Sequence, residues 1–98
     1  MQNLFVYGTL LDPWVQQEVI GRTLQGVPDQ LVGYRIDMKT FTDGVYPTLV
    51  LDPKGRVEGK VITIQDEWWP QIDDYEGAEY RRIQVKLVSG VDVWTYIA

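Results

Sequence analysis

The chain has no cysteine and no histidine in its 98 residues. Without cysteine there is no disulfide, no thiolate metal site and no thiol nucleophile. Without histidine the commonest general base is missing, and with it the Ser-His arrangement and nearly all zinc sites. Basic residues are scarce as well: 9 Lys and Arg against 14 Asp and Glu leave a net charge of −5. A nucleic-acid-binding face carries a basic stripe, and an anionic membrane surface also selects for Lys and Arg, so neither partner is expected. No apolar run reaches the roughly 18 residues that mark a membrane-spanning helix. The opening Met1-Gln2-Asn3-Leu4 has neither the basic stretch nor the apolar core of a signal peptide. The expected compartment is the cytoplasm. Acid–base chemistry, where present, falls to Asp, Glu, Lys or Tyr.

What is there is enough for one globular domain over residues 1–98, with 45% hydrophobic and 12% aromatic residues, four Trp and six Tyr among them. Residues 3–7 are short, apolar and aromatic, which predicts a buried strand. Asp12-Pro13 reads as N-cap and first residue of a helix to about Ile20, with Trp14, Val15 and Val19 on one side and Gly21 as its stop. Residues 23–29 form a weak extended piece. Strands are predicted over Gln30–Met38, interrupted at Gly33, then over Tyr46–Leu51 and Val57–Ile64. Thr42-Asp43-Gly44 and Asp52-Pro53-Lys54-Gly55 are the intervening turns. Asp66 is the N-cap expected for a second helix, whose Trp68, Trp69, Ile72 and Tyr75 share an apolar face and which ends at Gly77. Tyr80–Val88 and Val91–Ile97 then form a hairpin around a two-residue Ser89-Gly90 turn. The count is six or seven strands and two helices. Mostly hairpin-linked strands imply a mixed or antiparallel sheet curled toward a barrel.

Two stretches carry the chemistry. In Val6-Tyr7-Gly8-Thr9-Leu10-Leu11-Asp12 an apolar strand breaks at a glycine just before a helix starts. Gly8 is either an ordinary turn glycine or one whose loop turns backbone N–H groups toward an anion. In Asp74-Tyr75-Glu76-Gly77 a carboxylate sits at the end of a helix, where it opposes the helix dipole and gains nothing structurally. Glu76 is either a solvated helix-end residue or a proton carrier in a closed site. Tyr7 and Tyr80 are core aromatics or ligand contacts. Of Arg81 and Arg82, one is expected to face outward and one to steady a carboxylate. Trp68 and Trp69 read as core, and Asp73-Asp74 with Glu76 as a chance cluster rather than a metal site.

In family order, these residues resemble the gamma-glutamylcyclotransferase-like superfamily, especially its short bacterial and plant members and the gamma-glutamylamine cyclotransferases. Val6–Leu11 resembles the family's glycine-containing substrate loop, and Tyr46-Pro47 its Tyr-Pro strand start. Val57-Glu58-Gly59-Lys60-Val61 resembles its Val-x-Gly-x-Val strand. Ile72–Gly77 followed by Tyr80-Arg81-Arg82 is similar to its Leu-Asp-x-Tyr-Glu-Gly…Tyr-x-Arg pattern. The resemblance implies an α+β fold: a mixed five- or six-stranded β-barrel with flanking helices and one pocket. It implies release of an amine or amino acid from a gamma-glutamyl compound, with the glutamyl part closing to 5-oxoproline. It places Glu76 as acid/base and the backbone of Tyr7, Gly8, Thr9 and Leu10 as the hold on the glutamyl group. Tyr46 and Tyr80 are further candidate substrate contacts. The loop reads Tyr-Gly-Thr-Leu rather than the Tyr-Gly-Ser-Asn of glutathione-type members, which points away from glutathione. The chain stops within Trp94-Thr95-Tyr96-Ile97, where many members continue, so the implied pocket is more open.

This reaction asks little of a protein. The substrate carries its own nucleophile, the α-amine. Ring closure needs it folded and held, which contributes on the order of 7–11 kcal/mol in ideal intramolecular cases. One carboxylate can take the amine proton and hand it to the leaving group, and backbone donors can stabilise the oxyanion. No metal or cofactor is called for. The expected partner is a small gamma-glutamyl substrate; the oligomeric state is not specified. A non-catalytic metabolite-binding or regulatory module of the same fold is the alternative.

Overall fold

The computed structural model describes residues 1–98. The chain runs β1 (Gln2–Val6), α1 (Pro13–Ile20), β2 (Val27–Phe41), β3 (Gly44–Ile64), α2 (Trp69–Glu76), β4 (Arg81–Lys86) and β5 (Asp92–Ile97). Single 3-10 turns at Thr9–Leu11 and Asp66–Trp68 lead into the two helices. The sheet is five-stranded, in the order β2-β3-β1-β5-β4. It is mixed, because β1 and β5 are parallel while the other neighbours are antiparallel. It curls into a half-barrel. Past the end of β4, Val88 N–H donates to the Gln30 carbonyl of β2 at 2.9 Å, and the Ser89 hydroxyl donates to Asp29.

β1 is apolar at every position from Leu4 to Val6 because both of its faces are covered. Leu4 and Val6 point to the helix side, where they pack with Ile62, Ile64, Trp68, Trp69, Ile72 and Ile20. Phe5 points into the curl and packs with Leu31, Leu49, Val57, Leu87 and Val93. Gly59 of β3 has no room for a side chain. A Cβ there would run into the Val6 carbonyl oxygen and lie 2.7 Å from Phe5 Cζ.

α1 has its expected ends: Asp12 Oδ1 accepts from Trp14 N–H at 2.8 Å, Pro13 is the first helical residue, and Gly21 follows the last turn. Its buried face differs from expectation. Trp14 is 70% exposed, while Gln16 is buried alongside Ile20. Gln16 tolerates burial because both ends of its amide are used. Its Nε2 donates to the Leu10 carbonyl and its Oε1 accepts from Leu24 N–H, both at 2.8 Å.

The strand count also differs, for one physical reason. Residues 27–29 of the weak 23–29 segment join the 30–38 strand in one long β2, with 23–26 outside it, and 46–51 and 57–64 are one long β3. Asp52-Pro53-Lys54-Gly55 makes its local bond, Lys54 N–H to Asp52 Oδ1 at 3.0 Å, but the chain does not reverse. Both flanks stay paired to β2, so the extra residues become a bulge. Two steps from Val32 to Tyr34 face five steps from Leu51 to Arg56. The last hairpin has a three-residue connection rather than the expected two. Gly90 N–H bonds to the Leu87 carbonyl and Leu87 N–H to the Val91 carbonyl, with Gly90 at φ 91°. That is a type I turn closed by a left-handed glycine. Asp66 does not cap α2; it opens the preceding 3-10 turn, whose cap position is Gln65 and makes no side-chain bond. Tyr75 leaves the apolar face of α2 and is 42% exposed, whereas Trp68, Trp69 and Ile72 are buried. No helix is long and apolar enough to cross a membrane.

Candidate active site

One cavity of about 400 Å³ opens where the end of β1, the end of α2 and the β2–β3 hairpin meet. Tyr7, Gly8, Thr9, Leu10, Tyr46, Glu76 and Tyr80 all line it. These are the seven residues singled out from sequence, drawn together from four separate stretches of chain.

The loop comes first. After Val6 the backbone leaves the sheet and Gly8 starts the 3-10 turn, with Leu11 N–H bonded to the Gly8 carbonyl at 3.0 Å. The N–H groups of Gly8, Thr9 and Leu10 make no hydrogen bond within the chain. Gly8 does not adopt a positive φ. It sits at φ −120° and ψ −138°. A Cβ there would make ordinary contact with Pro47 Cγ at 3.5 Å. Its missing side chain leaves open the space between the loop and Pro47, both of which line the cavity.

Glu76 is the last residue of α2, and Gly77 ends the helix at φ 88°, a conformation that β-carbon-bearing residues rarely adopt. The turn leaves Glu76 on the cavity wall. Burial, and next the negative charge of Asp73, push its carboxyl from 4.5 up to about 7. Asp73 lies one helical turn earlier and accepts from Tyr96 OH at 2.5 Å and from Arg82 Nη2 at 3.2 Å, with Arg82 Nε at ion-pair distance, 3.2 Å, from its other oxygen. Arg82 is therefore the arginine that steadies a carboxylate; Arg81 is exposed.

The tyrosines are held by their hydroxyls. Tyr7 OH donates to the Tyr96 carbonyl and Tyr80 OH to the Pro47 carbonyl, both at 2.6 Å. Burial, and then the negative groups nearby, raise both phenols above their ordinary range. They remain neutral donors and present their rings to the cavity. Tyr46 and Tyr80 each pack on Phe41, with ring centres 5.9 and 5.6 Å apart. Thr9 Oγ1 and Tyr75 OH share a 2.5 Å hydrogen bond that ties the loop to α2. Asp73, Asp74 and Glu76 do not gather into a metal-holding group. No Lys or Arg lines the cavity; Asp43 and Glu79 join Glu76 there.

Sequence reasoning passed over Phe41, Asp43, Pro47, Tyr75, Glu79 and Tyr96 as cavity walls. Tyr75 had a usable signal, since it adjoins Glu76 at a helix end. Tyr96 had none beyond its strand alternation. Phe41 and Asp43 reach the site only because the β2–β3 hairpin folds over it.

Residues 4–98 match the model of the family described as gamma-glutamyl cyclotransferase, AIG2-like. Protein AIG2 C of Arabidopsis thaliana is 38% identical over 102 residues, an alignment that takes in 97% of this chain and 60% of the relative. The chain spans between 49% and 60% of the length of the AIG2-like relatives it matches. An Arabidopsis thaliana protein solved in solution superimposes with a TM-score of 0.84 at 32% identity, over 98% of this chain and 67% of that one. A solved gamma-glutamyl cyclotransferase superimposes with a TM-score of 0.85 at 20% identity, over 98% of this chain and 65% of that one, which shows a shared fold.

Proposed function

The chain belongs to the gamma-glutamyl cyclotransferase, AIG2-like family, and from that premise we propose that it is itself a cyclotransferase. It releases an amine or amino acid from a small gamma-glutamyl compound and closes the glutamyl part to 5-oxoproline, in the cytoplasm. The observation that carries this reading is Glu76: a carboxyl pushed up to about 7, on the same cavity as the loop with free N–H donors.

The backbone N–H groups of Gly8, Thr9 and Leu10 receive the glutamyl carboxylate, and Tyr7 closes that end of the pocket. The rings of Tyr46 and Tyr80 form walls for the rest of the substrate. With the chain folded back, the α-amine attacks the side-chain carbonyl carbon and a C–N bond forms. Ionised Glu76 takes the proton from the attacking nitrogen. It then gives that proton to the departing nitrogen as the original amide C–N bond breaks. The products are 5-oxoproline and the free amine; Glu76 ends as it began and no water is consumed. A carboxyl near 7 suits both transfers at neutral pH, since neither direction faces a large mismatch.

The test is incubation with a panel of gamma-glutamyl amines and peptides, scored for 5-oxoproline. Glu76→Gln keeps the side-chain size and is expected to lower turnover at least about 100-fold. Ligand binding is expected to change by less than about tenfold. Unchanged turnover in folded Glu76→Gln removes Glu76 from the chemistry. A parent that makes no 5-oxoproline from any panel member leaves the chain a binding module of the same fold.

A further inference from the structure

Next to the proposed acid/base lies an ion pair that the reaction scheme does not use. Asp73 of α2 meets Arg82 of β4 through both of its carboxylate oxygens, one by a hydrogen bond from Nη2 and one as an ion pair with Nε, and Tyr96 of β5 donates a second hydrogen bond to it. The Arg82 guanidinium lies over the Trp69 ring at 4.2 Å and faces Trp94 at 5.7 Å. A fork-shaped cation held between aromatic faces has little freedom to swing away. The network thus joins the helix to two strands one turn before Glu76. It also reaches the cavity wall, because the Tyr96 carbonyl accepts from Tyr7 OH.

Resting on the functional reading above, we infer that Asp73 and Arg82 are positioning residues for Glu76. Their pair pins the last turn of α2, and with it the Glu76 carboxyl, against β4 and β5, and it balances the charge of the carboxylate beside Glu76. Other titratable groups also face Glu76. Tyr7 comes from the segment after β1, Tyr96 from β5, and Tyr80 and Glu79 from the segment before β4. Asp43 and Tyr46 of the β2–β3 hairpin share the cavity. All of these are acidic or neutral, so Arg82 is the cation of this network.

Two substitutions then act with opposite signs. Asp73→Asn removes a negative charge near Glu76 and leaves Arg82 in place, which eases ionisation of Glu76. Arg82→Gln leaves Asp73 uncompensated, which hinders it. A purely structural pair predicts no such opposition. The experiment is a 13C NMR titration of the Glu76 side-chain carboxyl in the parent and both variants. The midpoint is expected to fall by roughly one pH unit in Asp73→Asn and to rise by roughly as much in Arg82→Gln. Arg82→Lys keeps the charge and is expected to stay with the parent. Where Asp73→Asn does not fold, the Arg82 variants decide: a midpoint raised by Gln and not by Lys supports the inference, and equal midpoints overturn it. Midpoints that coincide in the parent, Asp73→Asn and Arg82→Gln, or that move the same way, overturn it too. The titration needs no turnover, so a parent that forms no 5-oxoproline sinks the enzyme reading without deciding this one.

Discussion

Glu76 should make the protein less stable as the pH rises, and Glu76→Gln should remove that dependence. A carboxyl that ionises at 4.5 when unfolded and at about 7 when folded binds its proton more tightly in the folded state. Between those values the folded form holds a proton that the unfolded form has lost, so stability falls with increasing pH. Below about pH 4.5 both states are protonated and the burden vanishes. Above about pH 7 both are ionised and the loss is complete. Each pH unit between the two values is worth about 1.4 kcal/mol, so the whole interval amounts to about 3 kcal/mol. A domain of this size holds only about 5–15 kcal/mol in total, so the effect is large. The assay is urea denaturation of parent and Glu76→Gln at pH 4, 6 and 8. The Gln side chain has nearly the same volume and cannot ionise. The readout is how the stability difference between the two proteins changes with pH, which cancels any fixed cost of the substitution. The difference is expected to move in favour of Glu76→Gln by about 3 kcal/mol from pH 4 to pH 8, or roughly 12–24 °C in Tm. A difference that stays constant across that range refutes the argument that burial and Asp73 hold the proton on Glu76.

Three further outcomes follow from packing. Gly8→Val is expected to weaken gamma-glutamyl ligand binding more than about tenfold by filling the space toward Pro47, where a Cβ has room at ordinary contact distance; calorimetric titration beside a melting curve separates loss of binding from loss of fold. Gly59→Ala is expected to cost at least about 2 kcal/mol in chemical denaturation, because its Cβ meets the β1 backbone and the Phe5 ring rather than a movable side-chain end. Asp12→Ala removes the N-cap bond to Trp14 N–H and is expected to cost about 1 kcal/mol, read as a lower urea midpoint with an unchanged slope.

Much of the fold was legible because it rests on near neighbours. The Asp12-Pro13 start and Gly21 stop of α1 depend on residues within one turn, and both hold as read. The apolar run of β1 marks a strand covered on both faces, and Gly77 marks a helix end wherever the rest of the chain goes. Errors arose where a local preference met a distant partner. Asp52-Pro53-Lys54-Gly55 is a strong turn in isolation, yet β2 offers pairing on both sides of it, so the turn was absorbed as a bulge. Trp14 looked like a core residue by type, and Gln16 like a surface one. At that place α1 meets the Leu10 carbonyl and the Leu24 N–H, and the Gln16 amide supplies the donor for one and the acceptor for the other.

The site divides along the same line. Sequence alone determined which residues could carry chemistry: with no Cys and no His, a helix-end glutamate and a glycine loop were the strongest candidates left. It did not determine that they meet. Curling of the sheet brings Tyr7 to Tyr96 across 89 positions, Thr9 to Tyr75 across 66 and Tyr80 to Pro47 across 33. Nor could sequence set the proton affinity of Glu76, which follows from how much water the surrounding walls exclude and from the charge of Asp73 one turn away. Side-chain type is a property of one position and local conformation of a few. Desolvation and charge balance belong to whatever the folded chain lays alongside, so only the tertiary structure decided them.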